Sequence, residues 1–166
     1  MKELTSLKQI PTGASVFIDS NILTFFLLGA NKHYFECKTF LNRIAKGEIH
    51  GKINSVVVTE TLFNFVKERI VTKHKIRIED FIRFVKKNPA TIKDINIKPC
   101  KDIFSMPNIE LISPTLTFIN EKFVLPLPLL SNDLYHYITM KYAEINNLAS
   151  DDKDFNNIEG ITVWNP

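Results

Sequence analysis

Several acidic side chains of this sequence stand at positions that the predicted strands and helices would bring together. Asp19 follows the apolar run of residues 15–18, which predicts a strand buried on both faces. Residues 147–150 predict another strand, and Asp152 follows its end. Asp133 lies in the first turn of the predicted helix that precedes this strand. The carboxyl ends of parallel strands lie at one edge of a sheet. We therefore expect Asp19, Asp133 and Asp152 to converge there.

A fourth acid, Glu60, can join this set if the helix predicted over residues 55–70 packs its first turns over the same edge. Four carboxylates in one cleft need protons or a cation, because two unit charges about 4 Å apart at an effective dielectric constant near 20 repel by about 4 kcal/mol. Ligands that are all oxygen prefer hard ions, Mg²⁺ or Mn²⁺. Such ions orient a phosphodiester, activate water and neutralise the leaving oxygen. The acids together predict metal-dependent phosphodiester hydrolysis.

Each acid also has a simpler interpretation when it is taken alone. Asp19 or Ser20 can cap the helix that follows, since their side-chain oxygens accept hydrogen bonds from free amides of a first helical turn. Glu60 near a helix N-terminus is favoured by the helix dipole and needs no further role. Because the acids are predicted to share one sheet edge, we assign Asp19 to the cation site and the capping role to Ser20.

Helical patterns separate the predicted strands along the chain. The apolar patterns predict strands at residues 15–18, 109–112, 147–150 and 161–164, and helices at residues 22–28, 31–46, 55–70, 78–87, 98–106, 114–122 and from 131 onward. This alternation predicts a mainly parallel sheet covered by helices on both faces. We interpret the first dozen residues as a lead-in, the stretch between the first two strands as helical hairpins beside the sheet, and residues 126–128 as a stiff connector.

The bulk composition is that of an ordinary globular chain. Its 166 residues fit one domain, residues 1–166, and the hydrophobic share of 45% with a charged share of 23% is typical of soluble proteins. No apolar run approaches the roughly 20 residues that span a bilayer, and the first residues lack an apolar signal core. We therefore expect a cytoplasmic protein without a membrane partner. Cys37 and Cys100 have no metal-ligand spacing.

The charge is mildly positive, with a net value of +3, and it concentrates in residues 71–87. This segment, which we call the basic segment, carries Lys73, His74, Lys75, Arg77, Arg83, Lys86 and Lys87. A solvated face is the simpler interpretation of such a run. The alternative is a surface that contacts an RNA backbone, for which the candidates are Lys73, Lys75, Arg77, Arg83, Lys86 and Lys87.

Four motifs, in order, resemble those of the PIN-domain nucleases, the family of the VapC toxin ribonucleases. FIDSN resembles the first motif and SVVVTE the second. SNDLYHYITMKYAEINNLASDDKDF resembles the third and fourth, and NIEGITVWNP resembles the last strand. The resemblance covers nearly the whole chain. It implies a three-layer α/β/α sandwich around a central, mainly parallel sheet of four to five strands, and ribonuclease activity with Mg²⁺ or Mn²⁺.

The resemblance also implies a set of site residues. The residues that match the catalytic and metal-binding acids of the family are Asp19, Glu60, Asp133 and Asp152, and those that match its supporting polar positions are Asn21, Ser150 and Asp154. The sequence departs from the family where a small residue usually follows the third acid, since Leu134 stands there. Asp151 makes the fourth acid ambiguous, although the phase of the motif favours Asp152. His136 is either a support for the site or, more simply, a structural histidine.

The sequence disfavours two alternatives from other classes. A haloacid-dehalogenase-type phosphatase would need a second acid at Asn21. A catalytically silent PIN-like protein would bind RNA without cutting it, but an intact acid set carries a folding cost that metal or catalysis explains. Small proteins of the family act as toxins restrained by an antitoxin, usually as dimers. The resemblance thus implies an RNA substrate, an antitoxin protein and a homodimer as partners.

Overall fold

Within the residues that the computed structural model describes, 5–123 and 128–166, six strands form one parallel sheet. They are β1 (Thr5–Ser6), β2 (Ser15–Ile18), β3 (His50–Ile53), β4 (Ile109–Leu111), β5 (Asn147–Ala149) and β6 (Thr162–Asn165). Their order in the sheet is β1-β6-β5-β2-β3-β4, and every neighbouring pair is parallel. The predicted parallel sheet is confirmed, with more strands than the four to five expected.

Helices occupy most of the connections between these strands. They are α1 (Ser20–Leu28), α2 (Tyr34–Ala45), α3 (Ser55–His74), α4 (Phe81–Lys87), α5 (Ala90–Lys93), α6 (Lys98–Phe104), α7 (Leu116–Lys122) and α8 (Ser131–Tyr142). Short 3₁₀ turns lie at Leu7–Gln9, Ile78–Asp80 and Lys153–Asn157. Most of the connector predicted over residues 126–128 lies outside the described residues. In the described ranges, no helix has both the length and the apolar character that crossing a membrane requires.

Side chains of β2 show that helices cover both faces of the sheet. Phe17 packs against the ring of His136 from α8, with 5.4 Å between the ring centroids. Ile18 points to the opposite face, because successive strand residues alternate. There it meets Gly51 of β3, where an added Cβ would lie 2.8 Å from Ile18 Cδ1 and 3.3 Å from Ile44 Cδ1 of α2. The predicted three-layer α/β/α arrangement is confirmed.

The register of the central strands determines which residues meet at the carboxyl edge. β2 lies between β5 and β3, and Ile18 pairs with Ala149. The backbone N–H of Asp19 donates to the carbonyl oxygen of Ala149 over 3.0 Å, which extends the pairing by one step. Asp19 and Ser150 therefore leave the sheet side by side.

Two strands were not predicted. β1 lies within the segment that we interpreted as a lead-in, and it pairs in parallel with β6. β3 lies within the stretch interpreted as helical hairpins alone, and that interpretation is wrong: β3 pairs with both β2 and β4. Its sequence, HGKI, has a single large apolar residue, so its strand character comes from its two partners and not from local pattern.

Candidate active site

All four acids that the sequence singled out line one open cleft at the carboxyl edge of the sheet. This cleft, which we call the acidic cleft, has a volume of about 540 Å³. The residues that line it come from the strand ends and from helices α1, α3 and α8: Asp19, Ser20, Asn21, Thr59, Glu60, Phe63, Asn64, Asp133 and Asp152. The convergence predicted from strand and helix order is therefore present in the structure.

Asp19 is nearly buried, with 5% of its surface exposed, at the N-cap position of α1. Its side chain makes no capping bond. One carboxylate oxygen, Oδ2, instead accepts from Ser150 Oγ at 2.6 Å and from Asn21 Nδ2 at 2.7 Å. Burial raises the pKa of Asp19, and the Ser150 hydrogen bond opposes that rise. These donors orient the carboxylate towards the acidic cleft.

The expectation that Ser20 caps α1 is wrong. Ser20 is the first residue of the helix, and its hydroxyl donates to Glu60 Oε2 at 2.9 Å, with Asp19 Oδ1 as a longer alternative at 3.3 Å. A hydroxyl between two carboxylates reduces their mutual repulsion, because it supplies a hydrogen-bond proton without adding charge. Ser20 thus connects the acid of β2 with the acid of α3.

Glu60 reaches the acidic cleft from the second turn of α3. Its Oε1 accepts from Asn132 Nδ2 at 2.6 Å, in addition to the Ser20 bond on Oε2. His136 Nε2 lies 3.7 Å from Oε2. His136 is the largest influence that holds the pKa of Glu60 below its usual range, and burial works against it while Ser20 and Asn132 lower the pKa further. The neighbours of Glu60 therefore favour its ionised form.

Asp133 and Asp152 face each other across the other side of the acidic cleft. Their carboxylate oxygens and one of Asp154 lie within 4.8 Å of one another. Burial, and then the charge of Asp152, raises the pKa of Asp133 to about 6. The backbone N–H of Asp152 donates to Ser150 Oγ at 2.9 Å, and its Oδ1 accepts from the N–H of Asp154 at 2.9 Å. Backbone and side chain thus hold this loop against the end of β5.

Asp151 turns away from the acidic cleft. It is exposed, its Oδ2 lies 3.7 Å from His33 Nε2, and it lines a separate cleft of about 450 Å³ beside the start of α2. Asp152, its neighbour in sequence, lines the acidic cleft. This geometry agrees with the motif phase that favoured Asp152. The catalytic roles of Asp152 and of the other candidates remain predictions.

The residues present fit a divalent cation. Two groups of ligand atoms, each within 4.8 Å, stand in the site: those of Asp19, Glu60 and His136, and those of Asp133, Asp152 and Asp154. Within the described residues, none of Asp19, Asp133 and Asp152 is paired with a lysine or arginine. Carboxylate oxygens that repel one another without a cationic partner suit a hard ion such as Mg²⁺ or Mn²⁺.

Sequence reasoning missed two asparagines near the site. Asn132 supports Glu60, as described, and does not cap α8, which begins at Ser131 after Leu130 without a side-chain cap. Asn54 caps α3: its Oδ1 accepts from the N–H of Val57 at 3.0 Å. A polar residue directly before the apolar helix was the available signal for Asn54.

The basic segment divides into paired and unpaired cations. Arg77 and Arg83 both bond Asp80, the former at 3.0 Å, and Lys73 lies 3.8 Å from Asp94. Among the described residues these three are the members of the segment that form ion pairs. The lysines of the segment without one are all exposed: Lys75, Lys86 and Lys87.

An aromatic contact connects the basic segment with the acidic cleft. Phe63, half-exposed in the cleft wall, meets Phe81 at the start of α4 edge to face, with 5.7 Å between centroids. Lys67 Nζ lies 5.4 Å from the centre of the Phe63 ring and 3.3 Å from Asn64 Oδ1. An aromatic side chain with a neighbouring cation is the combination by which proteins hold single-stranded nucleic acid.

In its all-parallel sheet between helices and in the acids at the carboxyl edge of that sheet, this chain is similar to the PIN-domain nucleases of the VapC type. No protein-family model matches the chain. In sequence it is similar to Ribonuclease VapC2 of Methanocaldococcus jannaschii, with 27% identity over 148 residues that cover 89% of this chain and 91% of that protein. The resemblance that the motifs predicted is confirmed.

One solved structure supports the fold. The crystal structure of VapBC2 from Rickettsia felis, bound to a DNA fragment from its promoter, matches with a TM-score of 0.50 and 15% identity over 91% of this chain and 98% of that one. Mycobacterium tuberculosis VapC20, a toxin that cleaves the sarcin-ricin loop, gives a TM-score of 0.49 at 13% identity, over 85% and 92% of the two chains. The Rickettsia felis match shows the fold alone.

Proposed function

We propose that this protein is an Mg²⁺- or Mn²⁺-dependent endoribonuclease, the toxin of a toxin–antitoxin pair. The observation that carries the proposal is the convergence of Asp19, Glu60, Asp133 and Asp152 in one open cleft without lysine or arginine partners among the described residues. The sequence similarity of this chain to Ribonuclease VapC2 supports RNA as the substrate. The alternative, a silent PIN-like protein that binds RNA, leaves the cost of this acid set without a purpose.

Asp19, Asp133 and Asp152 would hold the cation, with Asp154 at the rim. A bound Mg²⁺ or Mn²⁺ supplies charge neutralisation at the scissile phosphate and a more acidic water. Ser150 and Asn21 occupy Asp19 Oδ2 with hydrogen bonds, so the carboxylate keeps one orientation. This preorganisation matters because a site that must reorganise during the reaction loses much of its electrostatic effect.

Glu60 is the acid best suited to orient the attacking water. Its neighbours hold its pKa low, so it is ionised at neutral pH and accepts hydrogen bonds. Ser20 and Asn132 each occupy one of its two oxygens, which fixes the plane of the carboxylate. A lone pair that these donors leave free can accept a hydrogen bond from water in the acidic cleft.

The RNA backbone would run from the acidic cleft along α4. Phe63 lies in the cleft wall and contacts the buried Phe81 at the start of α4, so the cleft wall packs directly against α4. Lys75, Lys86 and Lys87 are the exposed cations of the basic segment that are free of ion pairs within residues 5–123 and 128–166. We propose them as phosphate contacts, ahead of the paired Lys73, Arg77 and Arg83.

We also propose an antitoxin protein and a second copy of this chain as partners, in the cytoplasm. The Rickettsia felis structure is a VapBC2 assembly, which supports a protein partner. Large apolar side chains that would suit one stand exposed on the surface: Phe35 at 74%, Leu116 at 71% and Leu130 at 78%. Light scattering of the isolated chain would test the dimer, and a monomer at micromolar concentration would contradict it.

The proposed activity can be tested with a defined RNA pool and purified protein. We expect cleavage with Mg²⁺ or Mn²⁺, and none after chelation. Isothermal calorimetry should show saturable Mg²⁺ binding to the same preparation. RNA binding without cleavage at any tested metal concentration would favour the silent alternative. Cleavage that persists unchanged in chelator would contradict the metal site.

A further inference from the structure

We propose that His136 is a positioning residue, a fixed N–H donor that orients Glu60 through a tautomer imposed by Asn54. This inference deepens the proposed function and rests on it for its catalytic consequence, although the tautomer itself can be measured without activity. His136 is 1% exposed and Asn54 is fully buried, so solvent does not rearrange the pair. The two residues come from α8 and from the start of α3.

The orientation of the Asn54 side-chain amide is determined by the helix that it caps. Its Oδ1 accepts the N–H of Val57 at 3.0 Å, and a backbone N–H can only donate. The other end of the amide, Nδ2, therefore faces α8. There it lies 3.1 Å from His136 Nδ1 and 2.9 Å from Thr139 Oγ1. A flipped amide would place Nδ2 against the Val57 N–H and lose the cap.

Both neighbours of Asn54 Nδ2 must accept a hydrogen bond. Thr139 satisfies this requirement, because its hydroxyl donates to the carbonyl oxygen of Tyr135 at 2.7 Å and leaves its lone pairs to Asn54. His136 satisfies it only if Nδ1 carries no proton. The proton of the neutral imidazole is therefore on Nε2.

The Nε2–H points at Glu60. Nε2 lies 3.7 Å from Glu60 Oε2, which is longer than an ordinary hydrogen bond, and a shift of under an ångström would close it. The ring cannot withdraw, because it packs against Phe17 beneath it. A nitrogen that carries its proton cannot ligate a metal. His136 thus stands among potential ligands yet acts on the carboxylate, restricting Glu60 to one orientation.

The tautomer is tested directly by nitrogen-15 NMR of the metal-free protein at neutral pH. We expect a pyrrole-type Nε2 that carries a proton and a pyridine-type Nδ1 in His136. The variant His74→Asn removes one set of histidine signals and so helps to assign those of His136. The His74 ring packs on Phe84 and does not line the acidic cleft. A proton on Nδ1, alone or together with one on Nε2, would overturn the proposal.

The functional consequence is tested with two amide replacements. His136→Gln carries its N–H near the position of Nε2, whereas His136→Asn is too short to reach Glu60. We expect kcat to fall about 10–100-fold in His136→Asn with KM for RNA unchanged, as for residues that orient a ligand. His136→Gln should restore most of kcat, and His74→Asn should leave kcat and Mg²⁺ affinity unchanged.

Stability is measured alongside, because both replacements disturb a buried network. If His136→Gln and His136→Asn lose equal activity in proportion to lost folded protein, His136 is only structural and the proposal is wrong. Wild-type values of kcat in folded His136→Asn would also overturn it. If the wild-type protein cleaves no RNA, the proposed function fails, while the NMR result still decides whether Nε2 of His136 carries the proton that faces Glu60.

Discussion

Asp19 shows how a residue can hold the position of a helix cap without acting as one. It stands at the N-cap of α1, yet its carboxylate bonds Ser150 and Asn21 instead of the helix amides. Its burial raises its pKa, which is the opposite of what an optimised cap would do. A carboxyl kept at this cost in one cleft with three further acids is typical of functional sites.

The adjacent acids Asp151 and Asp152 should differ sharply in function. We predict that Asp152→Asn lowers RNA cleavage by at least about a hundredfold, since charge stabilisation by a bound cation is worth several kcal/mol. Asp151→Asn, which removes the same charge one residue away and outside the acidic cleft, should retain cleavage within a few-fold. Single-turnover rates of the two variants measure this. Greater loss in Asp151→Asn would reassign the fourth acid.

Asp133 should make stability and metal affinity depend on pH. The folded state raises the pKa of Asp133 from its ordinary 3.8 to about 6, so the folded protein binds this proton more tightly and metal-free stability falls as pH rises between those values. Mg²⁺ competes with the proton, so its affinity should increase over the same range. Asp133→Asn should stabilise the metal-free protein at pH 7 by about 1 kcal/mol, after discounting for partial exposure of the side chain.

Denaturant unfolding with chelator present would measure this effect at pH 7 and again below pH 3.8. The advantage of Asp133→Asn should disappear at the lower pH, because the wild-type carboxyl is then protonated in both states. A stability difference that is equal at both pH values would contradict the assigned pKa shift.

At the scale of elements, the site depends on two strands and two helices whose order was predictable. The apolar runs of β2 and β5 end in acids or their supports, and this pattern alone predicts that Asp19 and Asp152 share one edge of the sheet. β3 was not predictable in the same way, because Gly51 and Lys52 interrupt its apolar pattern. Gly51 is required there by the close approach of Ile18 and Ile44, a tertiary contact.

The polar network behind Glu60 was also beyond sequence reasoning, for a physical reason. Asn54 and His136 are 82 positions apart, and their bond depends on α3 and α8 meeting beneath the cleft. Local pattern correctly located both helices, but not which of their polar residues face each other. Asn132 was missed for the same reason, since its partner Glu60 lies 72 positions away.

The basic segment offers a comparison between free and paired cations. Replacing Lys75, Lys86 and Lys87 by Gln should reduce the salt dependence of RNA binding, with a change of about 2 in the slope of log K against log salt for three lost single-strand contacts. The matched variant Arg77→Gln with Arg83→Gln should change the slope less, because Asp80 already neutralises those charges. Fluorescence anisotropy across a salt series measures both. Equal slopes in both variants would indicate that the segment is a solvated face that does not contact RNA.

At the scale of the whole molecule, a six-stranded parallel sheet places its chemistry at the carboxyl edge and its structural residues elsewhere. The likeness to VapC proteins holds at 27% sequence identity and in the fold, and it agrees with the motif order predicted from the chain alone. The single domain, the dimer and the antitoxin remain predictions.

The central claim is that Asp19 and its neighbouring acids hold a divalent cation, and that the protein needs this cation to cleave RNA. The most direct measurement is the Mg²⁺-dependent cleavage rate of Asp19→Asn on the same RNA pool as wild type, with the circular dichroism spectra of the two proteins matched. We predict a loss of at least about a hundredfold in a folded protein. Cleavage by Asp19→Asn at the wild-type rate would contradict the account.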